Sequence, residues 1–215
     1  MNGQLGSRWR ALLEIFVSLL LLAGCAAPPP LYLQPGRGLA NPAMSNRPLV
    51  QLEPFAEDFG TEKIVGGHFF QAQRQELRVK DKEIATTLRR MIAQQLAKRH
   101  IPFTYGEQWN GTISGLDRIE PPVRLVVDGG ISRVWLEVKS GITYSDYSIG
   151  MDVSCRQGIV PEQKVVSRTV HISEDMIKFS SQPEEMEKML DQSLAEAARQ
   201  IATTIAEKVG MGAGS

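Results

Sequence analysis

The residues able to do chemistry are few and widely spaced. There are two cysteines, Cys25 and Cys155, and three histidines, His68, His100 and His171. Cys25 ends the run Leu22-Ala23-Gly24-Cys25, in which small residues lead up to a single thiol. That pattern suits cleavage between Gly24 and Cys25, followed by thioether attachment of a diacylglyceryl group to Cys25. With Cys25 used in this way, Cys155 has no disulfide partner, and a zinc site built on paired cysteines is excluded. Cys155 can be read as a nucleophile or as a small buried apolar residue, and the second is the commoner use of a free cysteine. The histidines fall in three different segments. No H-E-x-x-H, P-loop, G-x-S-x-G or dinucleotide glycine fingerprint occurs. His171 with Glu174 and Asp175 has a loosely ligand-like spacing, but it falls across an expected strand end. Gly66-Gly67 and Asp128-Gly129-Gly130 read as turns rather than phosphate loops. The sequence is therefore expected to be non-enzymatic and to need no cofactor or metal. An atypical hydrolase would require His171, Glu174 or Cys155 to converge in one cleft.

What precedes Cys25 supports the lipid reading. Arg8 and Arg10 stand before a strongly apolar stretch, Ile15 to Leu22. A membrane-spanning helix needs about 20 apolar residues, whereas a signal h-region needs only about 7–15. Glu14 shortens the run further and marks its entry side. Residues 1–24 are expected to be a lipoprotein signal peptide. Two or more acyl chains give stable anchoring without a spanning segment, so the membrane is one expected partner. Ala26 stands where an Asp would retain an enteric lipoprotein at the inner membrane. The expected location is the periplasmic side of the outer membrane.

Charge excludes other partners. Arg8, Arg10 and Glu14 leave with the leader, and one net negative charge remains on the mature chain. Nucleic-acid binding needs a basic face, and anionic lipids attract a polybasic patch; this balance supplies neither. Residues 25–48 are expected to be a lipidated tether. Six of the chain's twelve prolines lie there, and an extended Pro-rich segment of this length reaches at most about 70 Å. The single folded domain is then 49–209, with 210–215 as a flexible tail.

Within that domain, Leu49 to Glu53 reads as a strand closed by Pro54, and His68 to Val79 as an extended segment. Lys80 to Arg99 is a helix: Asp81 suits its N-cap, Glu83 its first turn, and Pro102 stops it. Ile84, Leu88, Met91, Ile92 and Leu96 recur at helical spacing. Val123 to Val127 is a short apolar run. Val134, Leu136, Val138, Ile142 and Tyr144 share one parity, then Tyr147, Ile149, Met151, Val153 and Cys155 another, so the sheet has one buried and one wetter face. Val165 to Ile172 returns as a further strand. Ser181 and Glu184 have capping-box spacing before a last helix ended by Gly210. The expected fold is α+β: a two-layer sandwich, mainly antiparallel, of about four to five strands with two helices on one face.

Trp135 falls on the polar parity beside Arg133 and Glu137. Interfaces are enriched in tryptophan, so Arg133 and Trp135 are candidate partner contacts unless the segment before Lys80 covers the ring. Tyr144, Asp146 and Tyr147 form a polar-aromatic cluster at a turn, which makes Tyr144 and Tyr147 further candidates. Trp109 sits in a loop and says less.

The lipobox, the proline-rich tether, Ile101-Pro102-Phe103 after the first helix, Gly130-Ile131-Ser132-Arg133-Val134-Trp135, the paired strands and the long last helix come in a recognisable order. This order resembles the YajG-type family of small bacterial lipoproteins. More loosely it resembles the LptE lipopolysaccharide-assembly proteins and the auxiliary lipoproteins of ABC-type lipid transporters. That family has no agreed activity, so the resemblance implies no catalytic residue, and only Cys25 maps to a functional position. A stable anchor, a long tether and the lack of a catalytic set point instead to a binding or accessory subunit of an envelope system, with an envelope protein as partner. The alternative is a lipid or glycan carrier that holds its ligand between helices and sheet.

Overall fold

The computed structural model describes residues 28–58, 63–71, 73–80, 83–107, 109–179 and 182–211. The leader with Gly24 and Cys25, the expected N-caps Asp81 and Ser181, and residues 212–215 lie outside them. In chain order the elements are β1 (Leu31–Leu33), β2 (Val50–Glu57), β3 (Ile64–Phe70), β4 (Gln73–Val79) and α1 (Glu83–Lys98). They continue with β5 (Phe103–Tyr105), a 3-10 segment (Ile113–Arg118), β6 (Leu125–Ser140), β7 (Ser145–Ile159), β8 (Lys164–Lys178) and α2 (Pro183–Met211).

The strands form one eight-stranded mixed sheet. β6 is its spine. The first half of β6 pairs in parallel with β2, and its second half pairs in parallel with β3. Along its other edge it pairs antiparallel with β7, which pairs antiparallel with β8. β5 lies parallel to β2, β4 antiparallel to β3, and β1 parallel to β4. The expected sheet of about four to five mainly antiparallel strands is therefore wrong in size and in pairing. The chain remains α+β, but β1, β3, β4 and β5 add parallel and hairpin edges that no alternation announces.

Three local corrections follow from the packing. Asp128-Gly129-Gly130 is not a turn but the interior of β6. A Cβ on Gly129 would meet the Ser154 carbonyl oxygen and the Phe55 ring, so glycine lets β2 and β7 close on β6 there. Pro54 does not end β2. The β2–β6 register shifts between Leu52 and Phe55, and a bulge accommodates the missing N–H. The body does not begin at Leu49. Leu33 is fully buried, the Gln34 N–H donates to Glu187 Oε1 (3.0 Å), and the Gly36 N–H donates to Asp191 Oδ1 (2.7 Å). Residues 31–36 of the expected tether are thus part of the domain.

The helices match their apolar patterns more closely. Ile84, Leu88, Met91, Ile92 and Leu96 of α1 are all buried. The Ala85 N–H of its first turn donates to Glu57 Oε1 (2.9 Å), so a carboxylate from β2 serves an amide that has no partner within the helix. His100, with φ at 57°, takes the left-handed position that ends α1. α2 runs through Gly210, the expected stop, to Met211. Its face of Leu190, Leu194, Ala197, Ala198, Ile201 and Ile205 is buried in the main core with α1 and the sheet. On the other sheet face, Trp109, Leu116, Ile119 and Val123 pack with Val126 into a second, smaller core.

Candidate functional site

The rows of paired residues give the sheet two ends. At one, Leu125 stands opposite Ile159 on β7. There the edge formed by β2 and β5 opens into a cleft of about 530 Å³ lined by Gln51, Tyr105, Gly106, Glu107 and the stretch Arg118 to Val123. Behind it lies a polar cluster. Gln51 Nε2 donates to Glu53 Oε1 (2.5 Å), and the Arg89 guanidinium of α1 donates from one nitrogen to the Leu52 (2.6 Å) and Gly106 (2.9 Å) carbonyls. The same guanidinium lies 4.5 Å from the Tyr105 ring centroid. Glu53 is 2 % exposed, and its Oε2 and Arg89 Nε have no hydrogen-bond partner among the described residues. Burial pushes the Arg89 pKa down, against the opposing pull of Tyr105, Glu53 and Glu107. Burial likewise pushes the Tyr105 hydroxyl up. Gly106 is needed here, because a Cβ at this position would run into the Gln51 amide and the Glu53 carboxylate. The cleft itself presents the Gln51 amide, the Glu107 carboxylate and the Tyr105 ring, groups able to hold a polar ligand.

This cluster was not among the sequence candidates. Two weak signals pointed to it: Glu53 shares its parity with Gln51 in a run, Leu49 to Glu53, whose other positions are apolar, and Arg89 directly follows the core residue Leu88.

The sequence candidates do not converge. Cys155 is 2 % exposed, and burial pushes its thiol up to about 12, with Asp128 adding to the effect. His171 Nδ1 lies 2.7 Å from Asp152 Oδ1 on the exposed sheet face. Glu174, three residues on along the same strand, points to the opposite face. No group of three metal-ligating side chains occurs among the described residues. Arg133 is exposed and Trp135 half-buried. The Arg74 guanidinium of β4 lies 5.8 Å from the Trp135 ring centroid, so the segment before Lys80 does reach over that ring. Glu137 beside it is paired with Lys139 (2.5 Å), and that bond holds its carboxyl below the ordinary range. Tyr144 is exposed, whereas Tyr147 is 2 % exposed within the main core. Tyr147 is therefore a core residue, and its side chain is not available to a partner; the period-2 parity of β7 turns it inward. Arg133, Trp135 and Tyr144 do not form one cluster: Tyr144 lies beyond the end of β6 and Arg133 near its middle.

No protein-family model and no curated protein matches this sequence. Similar solved structures exist. A Xanthomonas campestris protein assigned to the family DUF330 is 9 % identical, with 89 % of this chain and 100 % of that one covered and a TM-score of 0.51. A dodecamer of PelC from Paraburkholderia phytofirmans is 13 % identical, with 73 % and 91 % covered and a TM-score of 0.37. A candidate lipoprotein from Caulobacter crescentus is 14 % identical, with 60 % and 85 % covered and a TM-score of 0.30. At such identities the first likeness is one of fold alone. The other two are too distant in shape to carry an argument.

Proposed function

We propose that this chain is a lipid-anchored, non-enzymatic accessory protein of the bacterial envelope, held by acyl chains on Cys25 and presenting its folded body to a partner. The observation that carries this reading is Leu22-Ala23-Gly24-Cys25 placed behind a short apolar run and two arginines. The non-enzymatic part is supported by the burial and high pKa of Cys155 and by the opposed faces of His171 and Glu174. Ala26 favours the outer membrane, with the body on the periplasmic side. Two surfaces fit a partner: the cleft backed by Gln51 and Glu53, and the face carrying Arg133 and Trp135.

Intact-mass measurement of the protein extracted from membranes tests the anchor. The expected product begins at Cys25 and carries acyl chains, and Cys25→Ser should leave the membrane fraction. An unprocessed chain, or a Cys25→Ser variant that partitions like the parent, would overturn the reading. Crosslinking in intact cells tests the partner: Trp135→Ala or a cleft variant such as Gln51→Ala should lose a crosslinked species that the parent forms.

The carrier alternative has less support. The space between helices and sheet where an amphiphile would sit is filled by Leu52, Leu88, Ile92, Leu136, Leu190 and Leu194, all fully buried.

A further inference from the structure

We propose that the end of the sheet opposite the cleft packs against the bilayer that holds the Cys25 acyl chains, seating Phe70, Ile142, Tyr144, Ile177 and Phe179 at its surface; this rests on the lipid-anchor reading above. Strand register brings these residues together. Gln73 pairs with Phe70, Phe70 with Ser140, Ser140 with Ser145, and Ser145 with Lys178. One row therefore crosses β4, β3, β6, β7 and β8. The turn holding Ile142 and Tyr144 lies just beyond that row, as does Phe179, while Ile177 is one residue short of it. Of the eight large apolar side chains exposed among the described residues, these are five; Ile142 is 99 % and Phe179 91 % exposed. Strand parity turns Phe70 and Ile177 to opposite faces, so these side chains share one end of the sheet rather than one face. Large apolar side chains exposed together at one end mark a partner or membrane site, and aromatic rings favour the headgroup level.

The chain supplies the reason to choose the bilayer. β1 runs parallel to β4 with Leu31 opposite Leu77, and Gln75 Nε2 donates to the Pro29 carbonyl (2.8 Å). Going backward from β1, the chain thus heads for the same end of the sheet. Pro28 lies there beside Phe70 and His68. Two residues, Ala26 and Ala27, separate Pro28 from Cys25, a reach of at most about 11 Å. An anchor that short cannot hold the body far from the membrane. It brings this end within the roughly 5–10 Å over which apolar side chains enter the headgroup boundary. The two lysines at this end are paired, Lys139 with Glu137 and Lys178 with Glu185, and Asp146 opposite Lys139 adds negative charge, so the contact is apolar rather than electrostatic.

The test uses the full lipidated chain in phosphatidylethanolamine–phosphatidylglycerol vesicles. An environment-sensitive NBD label is placed on Ile142→Cys, on Phe179→Cys and, as the reference at the cleft end, on Ile113→Cys. Cys155 is buried and stays unlabelled. With acylation verified by intact mass, labels at 142 and 179 should shift to the blue and lose most of their emission to nitroxide-bearing lipid, in high salt as in low, while the label at 113 keeps its emission. Unquenched labels at 142 and 179 on an acylated chain would overturn the proposal and leave the anchor standing. A blue shift without lipid quenching would assign the patch to a protein or to a second copy, and would also overturn it. Absence of acyl chains would remove the anchor reading and this orientation together.

Discussion

Cys155 shows how far a single side chain's environment decides its chemistry. A free thiol ionises near 9, but in this fold burial pushes it up to about 12. Between those values the native state keeps a proton that the unfolded state has lost. Stability should therefore fall as pH rises through 9, by at most about 1.4 kcal/mol per pH unit. Urea melts on either side of pH 9 should show a smaller alkaline loss for Cys155→Ala than for the parent; equal losses would mean that the thiol is not held protonated. Gly129 makes a steric point at the same scale. Its Cβ position is filled by the Ser154 carbonyl and the Phe55 ring, so Gly129→Ala should cost about 2 kcal/mol in urea unfolding. A neutral result would return Gly129 to the role of a turn residue.

At the level of elements, what was legible followed from period. α1 and α2 could be read because their apolar residues recur at helical spacing, and β6 and β7 because their parity alternates. β1 and β5 could not. Each has three residues, and each pairs in parallel with a strand remote in sequence, so nothing local marks it. The β3–β4 hairpin was hidden for a different reason: Gln71 takes the left-handed conformation at its turn, where glycine or asparagine would have given a signal. β1 carries a consequence of its own. Leu33→Ala should destabilise the domain by about 3 kcal/mol, the cost of emptying a fully enclosed leucine site. Amides of Gln34 and Gly36, bonded to α2 carboxylates, should exchange slowly with solvent. Fast exchange there would restore the proline-rich segment as a free tether.

For the whole molecule, the long strands β6, β7 and β8 separate two unlike ends. β6 has 16 residues, so the ends stand roughly 50 Å apart. One end carries the cleft and its buried Glu53–Arg89 neighbourhood. The other carries five exposed apolar side chains and has Pro28 beside Phe70. Because Ile142 and Phe179 touch mostly solvent, Ile142→Glu with Phe179→Glu should change unfolding free energy by less than about 0.5 kcal/mol. In the Cys25→Ser background the same pair should shorten retention on a hydrophobic column. Unchanged retention would show that these side chains are not presented together.

By itself the sequence determined the Leu-Ala-Gly-Cys motif behind its apolar run, the near-neutral charge, the two helices and the alternation of the long strands, because each is read from the chain without its fold. Tertiary structure alone decided which segments join the sheet edges, that Glu53 and Arg89 both come to Gly106 behind a cleft, and that five exposed apolar side chains share the end of the sheet at which Pro28 lies. Those relations are between positions tens of residues apart. They are fixed by strand register and by the crossing of α1 over β2, and register is a property of the folded pair rather than of either strand.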